Sequence, residues 1–323
     1  MKAILRRFGA GQQLGIVLII VLLMAIAELV NPQALNPANI IEILRSTSIY
    51  FIGASAATLL IVGGGLDLSI GSVFAVGGVT AGFLMNASVP WPLAIVGGVA
   101  MASLLGLINA AMIIWIRIPP FIATLAMLFA ASGLVIVTTS GTPRFGFPAG
   151  FSNIAQLNLF GVPFLVYYAV IIGVIAHLIL QNTVFGYNVR ALGGNAAAAR
   201  ANGIRPVRMN LILYTTSAAV AGLCGILLAA RVATADPGAG GTGFTFQVIA
   251  AVIIGGTSLF GGVGTIIGTA LGALLFAVIN NVLALTNTNP QWANIVTGVI
   301  LAVAVAVDQL RRNRRFRMAR PQG

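Results

Sequence analysis

Apolar residues run along this chain in long unbroken blocks, and polar positions fall between the blocks instead of alternating with them. About ten blocks stand out, at 14–30, 47–62, 70–84, 93–116, 121–139, 162–180, 209–230, 244–259, 263–285 and 292–310. A bilayer core of about 30 Å takes roughly 20 apolar residues of helix, and several of these blocks are shorter than that. A β-barrel would need short alternating segments, whereas a helix satisfies its own backbone in lipid. The expected fold is all-α, a polytopic membrane protein of about ten transmembrane helices, some of them short or broken.

Composition sharpens this reading. The 323 residues are 59% hydrophobic and only 7% charged, against about 25% charged in soluble domains, and the mean hydropathy is +1.04. Lys and Arg in short loops stay on the cytoplasmic side. With the N-terminus inside, Lys2, Arg6, Arg7, Arg117, Arg190, Arg200, Arg205, Arg208 and the tail residues Arg311, Arg312, Arg314, Arg315, Arg317 and Arg320 all fall inside. Only Arg45, Arg144 and Arg231 fall outside. Two basic termini require an even number of spans. The net charge of +12 therefore speaks of topology and anionic headgroups, not of nucleic acid. The basic start followed by an apolar run to Ala27 admits a cleaved leader, but the run is long enough to favour an uncleaved first helix.

The chemistry-bearing residues exclude more than they offer. Cys224 is the one cysteine and His177 the one histidine, so no disulfide, metal cluster or Ser-His-Asp arrangement is expected. Ion-driven carriers hold a carboxylate within the bundle. Here Glu28, Glu42, Asp67, Asp236 and Asp308 are expected in loops or at helix ends. A phosphate-binding loop needs a lysine after its glycines, and Lys2 is the only lysine; no cofactor or nucleotide is expected on this chain. The stretch 238-GAGGTG-243 fits a dinucleotide pattern, but no strand precedes it, and it reads as a flexible connector.

Two inner loops, 63-GGGLDLSIGSV-73 and 255-GGTSLFGGVGTI-266, correspond at an offset of 193, which pairs Gly71 with Gly264 and Ser72 with Thr265. Interrupted helices in corresponding places point to a transport pathway. The plainer alternative is a pair of tight turns with Asp67 or Ser69 capping the next helix. A third segment, 193–206, is rich in alanine: Asn195 suits an N-cap, 196–201 a helix, and Gly203 a C-cap before Pro206. Within the apolar blocks, Asn109, Thr124, Asn280 and Asn281 are polar groups that must face a partner helix, water or a substrate path.

The phrases 64-GGLDLSIGS-72, 193-GGNAAAARANGI-204 and 250-AAVIIGGTSLFGGVGTIIGTALGA-273 resemble the signatures of ribose-type permeases of bacterial ATP-binding-cassette (ABC) sugar importers, over residues 45–310. The resemblance implies one transmembrane permease domain over 1–323, with a cytoplasmic coupling loop at 182–208 and a basic cytoplasmic tail at 311–323. It implies an inner-membrane assembly of two permease copies, a cytoplasmic ATPase carrying ATP and Mg, and a periplasmic binding protein that delivers a pentose or hexose. Gly193, Gly194, Asn195, Ala197, Ala198, Arg200, Gly203, Ile204 and Arg205 would meet the ATPase. Asp67, Ser69, Gly71, Asn109, Thr124, Gly261, Gly262, Gly264, Asn280 and Asn281 would line or gate the pathway, the Asn-Asn pair being similar to one in related permeases. The chain departs from relatives at Ala196 and at 244-FTFQ-247, where Thr245 and Gln247 stand in place of acids. Rival readings are a branched-chain amino acid or nucleoside permease, a stand-alone secondary carrier, and a membrane scaffold.

Overall fold

The computed structural model describes residues 2–289 and 291–318, with the side chains of 2–10, 12 and 311–318 left undescribed. Eight helices are long and apolar enough to cross a membrane. They are α1 (Lys2–Val30), α2 (Pro37–Val62), α4 (Trp91–Ile114), α5 (Pro120–Thr139), α7 (Phe164–Asn182), α10 (Pro206–Val232), α12 (Ile266–Leu285) and α13 (Trp292–Met318). Two more are apolar but short, α3 (Ile70–Asn86) and α11 (Gly241–Ile254). At 1.5 Å per residue they run about 26 and 21 Å, less than the hydrocarbon thickness. Short helices α6 (Ala149–Gln156), α8 (Val184–Gly194) and α9 (Ala196–Ala201) and a two-residue hairpin, β1 (Asn158–Leu159) with β2 (Val162–Pro163), complete the described chain. The ten expected blocks are thus ten helices, and the fold is all-α.

Helix α10 is central, packing on α2, α3 and α4, while α1 lies against α12 and α13 against α11. Lipid tails are as apolar as leucine, so helices in a membrane hold together through close packing of small residues. A Cβ on Gly225 of α10 would lie 1.9 Å from the Phe74 carbonyl oxygen of α3. One on Gly77 would lie 2.4 Å from the Gly222 Cα, and one on Gly98 of α4 would lie 2.6 Å from the Gly77 carbonyl. Three backbones therefore touch along this seam.

The internal repeat is present with a different register from the expected one. Helix α2 ends on Gly63 and Gly64, α11 on Gly255 and Gly256, at an offset of 192 (63 to 255). Gly64 has φ +84° and Gly256 φ +93°. The closing bonds match as well: Gly64 N–H to Ile61 O and Gly65 N–H to Leu60 O, then Gly256 N–H to Ile253 O and Thr257 N–H to Val252 O. The following helices start after Ser69 and Thr265, at an offset of 196 (69 to 265). The second break is four residues longer, so a single offset of 193 cannot hold through it. Gly71 lies in the first turn of α3, whereas Gly264 precedes the cap of α12; the two are not equivalent.

Expected boundaries shift for the same reason. The block drawn at 244–259 is helical only to Ile254, and that at 263–285 starts at Ile266, because both ran into the break. The block at 162–180 begins with the hairpin, and its helix starts at Phe164. The basic tail at 311–323 is helical to Met318; its side chains, and residues 319–323 altogether, lie outside the described structure.

The glycine seam yields a paired test. Gly225→Ala must push α10 off α3 at a typical overpacking cost of about 1–3 kcal/mol. Gly133→Ala, in exposed α5 with nothing within 4 Å of a new Cβ, should hold or gain about 0.5–1 kcal/mol from helix propensity. Thermal midpoints of the two variants in detergent check the contrast.

Candidate functional site

The first break, 63–69, is folded into the bundle and not left as an open turn. Asp67 is 1% exposed and Ser69 0%. Asp67 Oδ1 accepts from the Ser69 N–H at 2.7 Å and the Ser69 hydroxyl at 2.6 Å. Asn109 Nδ2, from α4, donates to Ser69 Oγ at 2.9 Å. Tyr214 of α10 accepts from Leu66 N–H at 3.3 Å and donates to its carbonyl at 3.4 Å, where Thr124 of α5 also reaches at 3.4 Å. Three helices thus hold one extended segment. The alternative in which Asp67 or Ser69 caps α3 by its side chain does not occur: Ser69 occupies the cap position without a capping bond.

Burial makes the Asp67 cluster electrostatically costly. Asp67 Oδ2 and Asn109 Oδ1 are both buried without a hydrogen-bond partner among the described residues. Burial pushes the Asp67 carboxyl above the usual carboxylate range, and the two Ser69 bonds pull against it. The acid expected in an inner loop, and by the resemblance at the pathway, is enclosed by protein.

The second break, 255–265, is tied at both ends. Asp308 of α13 accepts from the Ser258 hydroxyl at 3.0 Å and the Leu259 N–H at 3.2 Å. Its four extra residues carry Gly261 and Gly262 across to the first unit, where the Gly262 N–H donates to the Val62 carbonyl at 2.8 Å. Gly193 fills the space beside this bond: a Cβ on it would lie 1.9 Å from Val62 O and 2.7 Å from Gly262 N. A Cβ on Gly261 would lie 2.8 Å from Gly193 O, and one on Gly262 3.0 Å from the Gly194 Cα. Gly264 is closed in by Val62 and Thr257. The 193–206 segment and both breaks therefore meet at one backbone junction.

From that junction the chain turns outward. Asn195 caps α9, its Oδ1 accepting from Ala197 and Ala198 N–H at 3.1 and 3.0 Å. Gly203, at φ +84°, closes the helix, with its N–H on Arg200 O and the Ile204 N–H on Ala199 O. Ala199 is buried while Ala197, Ala198, Arg200, Gly203 and Arg205 are exposed and Ile204 half-buried. The result is a rigid, small-residue, basic surface on a rod rooted in the junction.

At the other end of the breaks, the N-termini of α3 and α11 abut. The Gly71 N–H donates to Thr245 Oγ1 at 2.9 Å, and a Cβ on Gly71 would lie 1.8 Å from Gly241 O. The stretch 238–243 is thus no loose connector, since 241–243 form the first turn of α11. Beside this contact lies a cavity of about 230 Å³ between α2, α3, α10 and α11. Asn280 faces that region, donating to the Tyr50 hydroxyl at 3.2 Å and accepting from Gln247 at 3.4 Å. Asn281, one position on, exchanges two bonds with Asn39 of α2 at 3.0 and 2.7 Å. The pair divides, one member toward the cavity and one clasping two helices.

Sequence reasoning missed Tyr214, Gly240 and the bracing by Asp308. A single tyrosine or aspartate on an apolar helix has no period or spacing that points to a distant backbone. The paired glycines at 193–194 and 261–262 did signal close approach, without naming each other.

The junction supplies its own control. Gly193→Ala places a methyl on the Val62 carbonyl, whereas Gly194→Ala meets nothing within 4 Å. Gly193→Ala should lower the thermal midpoint by an amount matching about 1–3 kcal/mol, and Gly194→Ala should stay within about 0.5 kcal/mol of the parent, as read by melting of the purified chain in detergent.

Residues 39–305 match the family described as branched-chain amino acid transport system / permease component. The chain is 36% identical to the ribose import permease protein of Escherichia coli strain K12 over 90% of this chain and 91% of that one. It is 34% identical to the L-arabinose ABC transporter permease protein of Azospirillum brasilense, over 94% and 89% respectively. The D-allose transport system permease protein of Escherichia coli strain K12 is 33% identical, over 92% and 91%. No solved structure matches. The matched segment takes in both breaks, the 183–205 excursion and the cavity, and the chain belongs to this family of transport-system permease components, as a polytopic permease subunit.

Proposed function

We propose that the chain is the membrane-spanning subunit of an ATP-driven ABC importer for a monosaccharide, a pentose or hexose. It works as a pair of copies in the bacterial inner membrane, with both termini in the cytoplasm. A periplasmic binding protein delivers the sugar, and a cytoplasmic ATPase holding ATP and Mg supplies the energy. The observation that carries this reading is the junction at Gly193: an exposed helix, α9, is rooted in backbone shared by both helix breaks. A partner that moves α9 moves the inner ends of α2 and α12 with it.

The roles follow from position. Ala197, Ala198, Arg200, Gly203 and Arg205 form the surface for the ATPase, where small residues permit close approach and the guanidinium groups meet acids. Gly193, Gly194, Gly261, Gly262 and Gly264 transmit the movement. Asp67, Ser69, Asn109 and Thr124 keep the first break in one conformation, and Gly71 holds α3 against α11. The names of the ribose, arabinose and allose relatives favour a sugar over an amino acid.

The test is reconstitution. Vesicles containing the chain, its ATPase and its binding protein should take up labelled D-ribose, L-arabinose or D-galactose only with ATP, and should do so in the presence of a protonophore. The chain alone should transport none of them. Uptake by the chain alone under a proton or sodium gradient contradicts the reading.

A further inference from the structure

The cavity beside the abutting helix ends has a chemistry of its own. Its apolar wall is three rings, Tyr50, Phe74 and Phe244. The Phe244 ring lies 5.6 Å from that of Tyr50 and 4.5 Å from that of Phe74, centroid to centroid. Its polar wall is Ser46, Arg231 and Gln247. Ile49 and Leu228 add aliphatic surface to that wall, and Gly240 and Gly243 line the rest without side chains, leaving backbone open to a ligand.

The polar groups are only half used. Gln247 spends its amide N–H on Asn280, and its carbonyl oxygen has no partner among the described residues. Tyr50 accepts from Asn280, and its own O–H has no acceptor there. Ser46 accepts from Arg231 Nη1 at 3.3 Å, which leaves its hydroxyl proton free. The cavity therefore offers two hydroxyl donors and an amide acceptor beside the three rings.

Charge and size narrow the ligand. Arg231, the one charged group in the lining, is already paired with Glu42, which Arg45 also approaches at 3.7 Å. No acid lines the cavity, so the ammonium of an amino acid would be buried without a counter-charge. The cavity's volume is about 230 Å³. That is below the roughly 300–1,000 Å³ of sites for drug-sized ligands, and it suits one sugar ring better than a nucleoside. A polyol ring has an apolar C–H face for the aromatics and hydroxyls that both donate and accept.

The geometry points to this cavity as a binding site for one neutral monosaccharide, held between the rings of Tyr50, Phe74 and Phe244 and the polar groups of Ser46, Gln247 and Arg231. The assignment rests on the reading of the chain as a sugar permease. It places the sugar within one subunit, at the meeting point of the two short helices, as expected where discontinuous helices converge.

The test uses the whole transporter in vesicles, with Ser46→Cys introduced into the parent chain, whose own Cys224 is buried. The rate of modification by a small thiol reagent is measured alone and with D-ribose, L-arabinose, D-galactose, isoleucine or uridine. A Ser88→Cys variant, on an exposed turn, serves as the control. The sugar that the vesicles transport should slow modification at position 46 by about tenfold, the change that corresponds to about 1.4 kcal/mol, and leave position 88 unchanged. Isoleucine and uridine should protect neither. Completed modification at position 46 should cut uptake about tenfold as well. An unchanged rate in vesicles that transport the sugar, full uptake after modification, or protection by isoleucine or uridine overturns the cavity assignment alone. Vesicles of the parent chain that take up none of the three sugars overturn the permease reading and this assignment with it.

Discussion

The hydrogen bond from the Gly262 N–H to the Val62 carbonyl joins the second break to the end of α2, far away in the chain. In a membrane every backbone polar group must be satisfied within the protein, and non-helical backbone survives there only when protein encloses it or it lines a cavity. Breaking α2 from α3 and α11 from α12 frees such groups twice. The matching glycine turns at 63–64 and 255–256 satisfy part of each end, and the longer second break reaches across to satisfy Val62. Gly193 of the 183–205 excursion packs directly against this bond, with Gly194 beside Gly262, so the arrangement binds the excursion to both breaks.

The rest of the site depends on that constraint. The first break can be extended because Tyr214, Thr124 and Asn109 take up its polar groups. Its extension brings the N-terminus of α3 against that of α11, sealed at Gly71 and Thr245. The meeting of two short helices leaves room for the cavity. Bracing at one end by Asp308 and at the other by the α3–α4–α10 glycine seam keeps the breaks rigid with respect to the bundle. A movement of α9 has few other places to go.

Much of this was legible in the chain. Long apolar blocks count the helices because lipid imposes one length scale on all of them. Asn195 and Gly203 mark α9 because caps are local chemistry. The glycine pairs announced both breaks. What was not legible depends on three dimensions: the four-residue insertion defeats any single offset, so Gly71 was paired with the wrong glycine. Asp67 was placed in an inner loop and, by the resemblance, at the pathway, but nothing in a Gly-rich turn signals that three other helices will cover it. Asn280 and Asn281 read as a unit, but neighbours on a helix point about 100° apart, and only Asn280 bonds to residues that line the cavity.

The central claim is mechanical: contact at α9 reaches both breaks through Gly193. Hydrogen–deuterium exchange of the purified chain, with and without the proposed ATPase bound, tests it most directly. The account predicts that docking changes exchange by about tenfold, corresponding to about 1.4 kcal/mol of local opening free energy, in peptides covering 63–69 and 255–265 together as well as 195–205. Protection confined to 195–205, with both breaks exchanging as in the free chain, would contradict it.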